Sequence, residues 1–265
     1  MKNFENTNLK LINEKIKKKE KKNKEMKNQV IIYDLETTGL NIHKNKIIEI
    51  YLYNVGEKTC RHILINPNVN IPPETIKIHG LTNMDLQGKP LFKDIVDDIY
   101  EFVGEEPYMI SHNNISFDKQ FLESEMKRAN LPTPTDWKYI DTLFIARELY
   151  ELKNYKQDTL REKFNISNKG SHRANKDVID LSIIFENMIK DSQKTIEELY
   201  KMTQNYCYDK MPFGKHKNVN IKDLPDDYVN WMIKKNVFKN KPILKKSFLK
   251  AKKIITKKSK SKQNN

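Results

Sequence analysis

Apolar and polar positions along this chain alternate in short blocks with two different periods. Residues 30–35 form a β-branched apolar run, 47–55 alternate in polarity, and 61–66 do so more weakly. A period of two predicts three strands there. The short polar link Gly56-Glu57-Lys58 predicts that the second and third pair as a hairpin. Pro72-Pro73-Glu74 opens a short helix at the end that tolerates proline. Thr82 and Asp85 read as cap residues. Residues 91–103 place Leu91, Ile95, Ile99, Phe102 and Val103 at helical spacing. Residues 107–110 and 137–140 read as buried strands. Phe121, Leu122 and Met126 mark the helix that begins at Asp118, and Asp141-Thr142-Leu143 caps the next. Another helix spans 155–165, with Leu160 and Phe164 on one face. Gly170-Ser171 then breaks the pattern, and Ser171 is the N-cap candidate for a helix to about 190, striped by Val178, Leu181, Ile184, Phe185 and Met188. Strands and helices mixed in this way predict an α/β layered domain.

Beyond it, residues 191–210 read as a helical linker. A smaller unit over 211–238 contains Met211-Pro212-Phe213-Gly214-Lys215-His216 and Leu224-Pro225-Asp226-Asp227-Tyr228-Val229-Asn230-Trp231-Met232. Pro-Phe-Gly-Lys is a turn that presents an aromatic ring and a cation, groups able to stack on a base and meet a phosphate. The plainer expectation, favoured for Trp231, is that Phe213, Tyr228 and Trp231 form the unit's own small core. Residues 1–28 show Leu9, Ile12 and Ile16 at helical spacing and then a lysine run, a frayed helix or disorder outside any core.

Charge sharpens this division. The formal net charge is +14, of which residues 1–28 carry +6 and the Lys-rich tail 239–265 carries +11, so 29–238 is −3. Basic arms flank a slightly acidic body, and such arms attract polyanions or are merely solvated. No run of eighteen apolar residues is present, which argues against a helical membrane span. The first residues lack an apolar signal core, and the early acids with no Arg are unlike a transit peptide. Cys60 and Cys207 are lone cysteines, read as reduced thiols. The expected location is cytoplasmic, which includes association with the nucleoid.

The chemistry begins at Asp34-Leu35-Glu36-Thr37-Thr38-Gly39. Residues i and i+2 of a strand share a face, so Asp34 and Glu36 project together. Two such carboxylates resist joint ionisation unless a cation neutralises them, and hard oxygen ligands suit Mg²⁺ or Mn²⁺. Further on stand His112-Asn113-Asn114-Ile115-Ser116-Phe117-Asp118 and Ser171-His172-Arg173-Ala174-Asn175-Lys176-Asp177.

Together, Asp34-x-Glu36, Asp118 and His172-x4-Asp177 resemble the three motifs of the DEDDh (DnaQ-like) 3′→5′ exonucleases. This is the family of the polymerase III ε subunit, exonuclease X and RNase T, and the resemblance covers about 29–190. The small unit resembles the module that follows the nuclease domain in exonuclease X-like proteins. The resemblance implies a ribonuclease H-like fold, a mixed five-stranded sheet flanked by helices. It implies two metal ions, one held by Asp34, Glu36 and Asp177 and the other by Asp34 and Asp118, with His172 as general base. Thr37, Thr38, Gly39, Leu40 and His79 would contact the terminal nucleotide, and His112 and Asn114 the second metal site or the substrate backbone. Single-stranded or unpaired DNA 3′ ends are the expected substrate. An RNA exonuclease of the RNase T or oligoribonuclease kind and a noncatalytic nucleic-acid-binding protein stay open, as does association with a DNA polymerase.

Overall fold

The structure, a computed structural model, describes residues 30–167, 174–239 and 241–251. The expected arm at 1–28, and Gly170, Ser171 and His172, lie outside the described residues. The chain divides into two compact units, Met1–Thr203 and Gln204–Asn265.

The first unit is built on a five-stranded sheet. Strands β1 (Val30–Thr37), β2 (Ile47–Asn54), β3 (Thr59–Leu64), β4 (Tyr108–Ser111) and β5 (Lys138–Asp141) lie in the order β3-β2-β1-β4-β5. β1–β2 and β2–β3 are antiparallel, while β1–β4 and β4–β5 are parallel, so the sheet is mixed. The hairpin forms as expected, but β3 starts two residues early. The cause is a tight turn in which the Asn54 side chain accepts from the N–H groups of Gly56 and Glu57.

Helices follow as α1 (Pro73–His79), α2 (Asn83–Leu86), α3 (Val96–Val103), α4 (Asp118–Arg128), α5 (Thr142–Leu149), α6 (Gln157–Lys163), α7 (Ala174–Ser192) and α8 (Ile196–Asn205). Thr82 and Asp85 close a capping box on α2, and Asp141 caps α5 through the N–H of Leu143. One sheet face packs on α3 and α4 around Ile31, Tyr33, Leu35, Ile99, Phe121 and Leu122. The other packs on α7 around Val30, Ile32, Ile110, Val178, Leu181 and Ile184.

Residues 191–203 are not a linker. Thr195 and Glu198 bond each other's backbone N–H at the start of α8, Leu199 is fully buried in the α7-side core, and Thr203 Oγ1 accepts the N–H of Asp141.

The second unit carries α9 (Asp226–Lys234) and α10 (Pro242–Lys250). Its core is Met211, Ile221, Leu224, Val229, Met232, Leu244 and Phe248. The stretch 242–250, read as part of a basic tail, is thus a helix whose apolar side closes this core. Trp231 is corrected as well: it is half exposed, and its neighbours Val229 and Met232 point inward instead. Among the described residues no helix is long and apolar enough to cross a membrane.

Candidate active site

Parity along β1 decides which side chains meet. Val30 and Ile32 pack against α7, and period-two alternation carries Asp34 and Glu36 along the same row. The carboxylates therefore emerge where the apolar seam with α7 ends, and α7 carries Asp177 in its first turn. The parallel neighbour β4 ends at Ser111. The chain then passes through Asn113, at φ 68°, and brings Asp118 to the start of α4. Ser111 Oγ donates to Asp118 Oδ2 at 2.7 Å, whereas Asp118 Oδ1 is buried with no partner among the described residues.

These acids form one electrostatic cluster. Burial raises the Asp34 pKa well above the usual carboxylate range, and the charges of Asp118, Glu36, Asp177 and Glu49 raise it further. Burial, then Glu49, Asp177 and Asp118, push Glu36 up to about 8. Burial pushes Asp118 to about 7 against the hydrogen bonds it accepts from Ser111 and backbone N–H groups.

Sequence reasoning missed two members of this neighbourhood. Glu49 lies directly opposite Glu36 in the β1–β2 register and pairs with His62 at 2.6 Å. Its signal was a lone acid inside the apolar run Ile-Ile-Glu-Ile. Arg161, on α6, is buried and holds Asp180, Asp158 and Asp177 at 2.7, 2.7 and 2.5 Å. Nothing in its local sequence distinguished it from a solvated cation.

The donor set fits hard divalent cations. The crowded acids raise one another's pKa, and an unpartnered carboxylate oxygen is buried among them. Among the described residues, no three such side chains are already gathered tightly enough to hold an ion as they stand. Arg161 engages an oxygen of Asp177, the fourth acid.

Beside the acids lies a cleft of about 570 Å³, lined by residues 35–41 together with Ile78, His79 and Phe117 among others. Gly39 sits at φ 150°, and a Cβ there would come within 2.9 Å of the Asn45 side chain, so the turn requires glycine. The threonine hydroxyls hold this turn. Thr37 Oγ1 donates to Gly39 O at 2.8 Å, and Thr38 Oγ1 accepts the N–H of Lys46 at 3.0 Å. Leu40 stands 84% exposed among the cleft's lining residues. His79 Nδ1 accepts the N–H of Leu81 at 3.0 Å, which leaves the proton on Nε2, a buried donor without a partner among the described residues. Burial lowers its pKa and keeps the ring neutral.

Two expected site residues do other work. Asn114 Nδ2 donates to Met109 O and Ile140 O, and its Oδ1 accepts from Tyr33 OH at 2.6 Å, so it clamps β1, β4 and β5 together. His112 uses Nδ1 on Thr142 and Nε2 on Tyr155 O, and burial drives its pKa to about 4. Neither has a polar atom left for metal or substrate. His172, the expected general base, lies outside the described residues.

Comparison with known proteins agrees with this arrangement. Residues 31–185 match the model of the RNase T exonuclease family, and residues 197–242 match a family described as a putative quorum-sensing-regulated virulence factor. DNA polymerase III subunit epsilon of Rickettsia prowazekii is 33% identical over 181 residues, covering 64% of this chain and 78% of that protein. The same subunit of Buchnera aphidicola is 36% identical over 159 residues, covering 55% and 66%. A solved structure of exonuclease X in complex with 5′ overhanging duplex DNA matches with a TM-score of 0.54 and 25% identity, over 66% of this chain and 99% of that one. With Asp34 and Glu36 at the end of β1 in a mixed five-stranded sheet, and Asp118 and Asp177 at the starts of two helices, the chain belongs to the RNase T family of exonucleases and is a DEDDh-type 3′→5′ exonuclease.

Proposed function

We propose that the protein removes nucleotides one at a time from single-stranded or unpaired 3′ ends of DNA and releases nucleoside 5′-monophosphates. The observation that carries this reading is the cluster of Asp34, Glu36, Asp118 and Asp177 beside a cleft that joins apolar residues, the Thr37–Gly39 turn and His79. Uncompensated, such a cluster repels phosphate. Two Mg²⁺ or Mn²⁺ ions, when bound, would acidify the attacking water and stabilise the departing 3′ oxygen. Asp34, Glu36 and Asp177 would hold one ion, and Asp34 with Asp118 the other.

The remaining roles fall to the chain itself. His172 takes the proton of the attacking water, a task suited to an imidazole that titrates near neutrality. His79 Nε2–H donates to an oxygen of the terminal nucleotide, and the Gly39 turn lets the strand end approach the backbone. Leu40 packs on the terminal base. Thr37 and Thr38 shape the turn, and their contribution to substrate is through the backbone. Contacts of this kind read an end and not a sequence.

The choice of DNA rests on the relatives, a DNA polymerase III subunit and an exonuclease solved with duplex DNA. The test is digestion of 3′-labelled and 5′-labelled DNA and RNA strands with Mg²⁺ and with EDTA. Immediate release of label from the 3′ end of DNA, abolished by EDTA, is expected. Faster digestion of RNA would move the reading to an RNA exonuclease, and binding without hydrolysis to a noncatalytic protein.

A further inference from the structure

The second unit carries aromatic rings that its core does not use. Trp231 is 50% exposed and Phe213 36%, and neither belongs to the buried cluster that closes the unit. Trp231 stacks on Tyr228 with ring centroids 5.6 Å apart and planes 18° from parallel. Tyr228 also meets His216 at 4.4 Å. His216 belongs to the turn that Gly214 makes possible at φ 75°, and a Cβ on Gly214 would lie 3.4 Å from the Tyr228 hydroxyl. The Phe213–His216 turn therefore lies against the same face of α9. Lys241 Nζ stands 5.0 Å from the centre of the Phe213 ring. The result is three rings in series ending in an open indole, with a second exposed ring under a cation.

Charge selects the occupant. Residues 204–251 hold eleven Lys and four Asp, a net +7, whereas residues 30–203 sum to −5. Lys234 and Lys235 follow Trp231 by one helical turn and share its side of α9. Asp226 and Asp227 at the helix start oppose them, and the lysines outnumber them. An acidic peptide would use the lysines but has no need of a parallel ring pair. A nucleobase uses both, because it stacks on the indole while its phosphates meet the cations.

We infer that the His216–Tyr228–Trp231 series, with Phe213 and the lysines around it, is a stacking site for unpaired bases of a DNA strand, separate from the carboxylate cluster. The choice of occupant rests on the nuclease reading, and binding is measured apart from hydrolysis so that the two can fail separately.

The chain has two tryptophans, and Trp137 is buried in the first unit. In full-length Trp137→Phe protein, Trp231 is then the only indole. It is titrated in EDTA with oligothymidylate of about 16 nucleotides and, separately, with inorganic polyphosphate. Saturable quenching by the oligonucleotide and none by polyphosphate is expected. In parallel, anisotropy of labelled oligothymidylate with otherwise native protein needs no change at Trp137. There Trp231→Ala should raise Kd roughly tenfold, the scale of removing one base stack, and Trp231→Phe should recover most of the loss. Unchanged emission, equal quenching by polyphosphate, or a Trp231→Ala affinity equal to that of the native chain would overturn the inference. Quenching that persists in a protein unable to hydrolyse 3′-labelled DNA in Mg²⁺ would support this site while refuting the nuclease reading.

Discussion

Without divalent metal, the protein should become less stable as the pH rises from 7 to 9. The folded carboxyl of Glu36 holds its proton up to about 8, whereas its ordinary value is 4.5. Across that interval the folded state binds more protons than the unfolded one, so stability falls with rising pH. It is fully present below the unfolded value and lost as the pH passes through the folded one. Linkage gives Glu36 about 1.4 kcal/mol at pH 7 and about 0.1 at pH 9. Asp118, raised to about 7, adds about 0.4 kcal/mol to the loss. Asp34 is raised too and acts in the same direction. The sum is about 2 kcal/mol.

The window is chosen to keep other groups silent. His112 and His79 are lowered from 6.5 by burial, so their contributions act mostly below pH 7, and the small remainder above it raises stability with pH, opposite to the carboxyls. Tyr33 and Tyr108 are raised from 10 and act above pH 9. A divalent ion binds the ionised acids, so the stabilisation it brings should grow over the same interval and flatten the slope. Urea denaturation at pH 7, 8 and 9, in EDTA and in Mg²⁺, measures both. A metal-free stability that is flat or rises between pH 7 and 9 would refute the claim that these carboxylates are crowded and unneutralised.

Asp34→Ala should abolish hydrolysis together with the Mg²⁺-induced rise in stability. His172→Ala should slow the chemical step by roughly 10²–10⁴ yet keep that rise, and its loss on calorimetry would make His172 a ligand. Arg161→Met leaves three acids without their shared cation and should cost about 3–5 kcal/mol in EDTA. A loss under about 1 kcal/mol in a urea melt would mean that the ion-pair cluster is solvated. Deleting 252–265 removes six Lys and no acid. It should raise KM and flatten the salt dependence of KM, by about 0.7 in slope for each phosphate of a single strand that is no longer neutralised, with kcat unchanged. An unchanged slope would show those lysines to be free of substrate.

The strands were legible because alternation is written locally, and alternation put Asp34 and Glu36 on one row. Local pattern alone did not separate these acids from solvated ones; the resemblance to the family's three motifs marked Asp118 and Asp177 and implied the five-stranded mixed sheet. What stayed hidden depends on partners distant in sequence. Glu49 reaches Glu36 through cross-strand register, and Arg161 reaches Asp177 between two helices. Asn114 and His112 were assigned to metal or substrate because a polar residue inside a motif looks the same whether it is a ligand or a clamp. Only their filled hydrogen bonds to Met109, Ile140, Thr142 and Tyr155 separate the two. In 242–250, lysines masked the apolar side made by Ile243, Leu244 and Phe248. At Trp231, hydrophobicity predicted burial, and one step of helical phase gave the core to Met232.

The distribution of charge has a mechanistic consequence. A site that holds cations must be acidic, and a site that holds a polyanion must be basic, so one surface cannot do both well at short range. At an effective dielectric constant near 20, two unit charges about 4 Å apart interact by about 4 kcal/mol. Lysines set among Asp34, Glu36 and Asp118 would therefore compete with the ions for the same oxygens. This chain keeps −5 on residues 30–203 and +7 on residues 204–251. Affinity and chemistry can then be tuned apart, the first by the lysines and rings of the second unit, the second by the ions. Under this division, high salt should weaken binding long before it slows turnover of bound strand, because exposed lysine–phosphate contacts are screened while buried carboxylate–ion contacts are not.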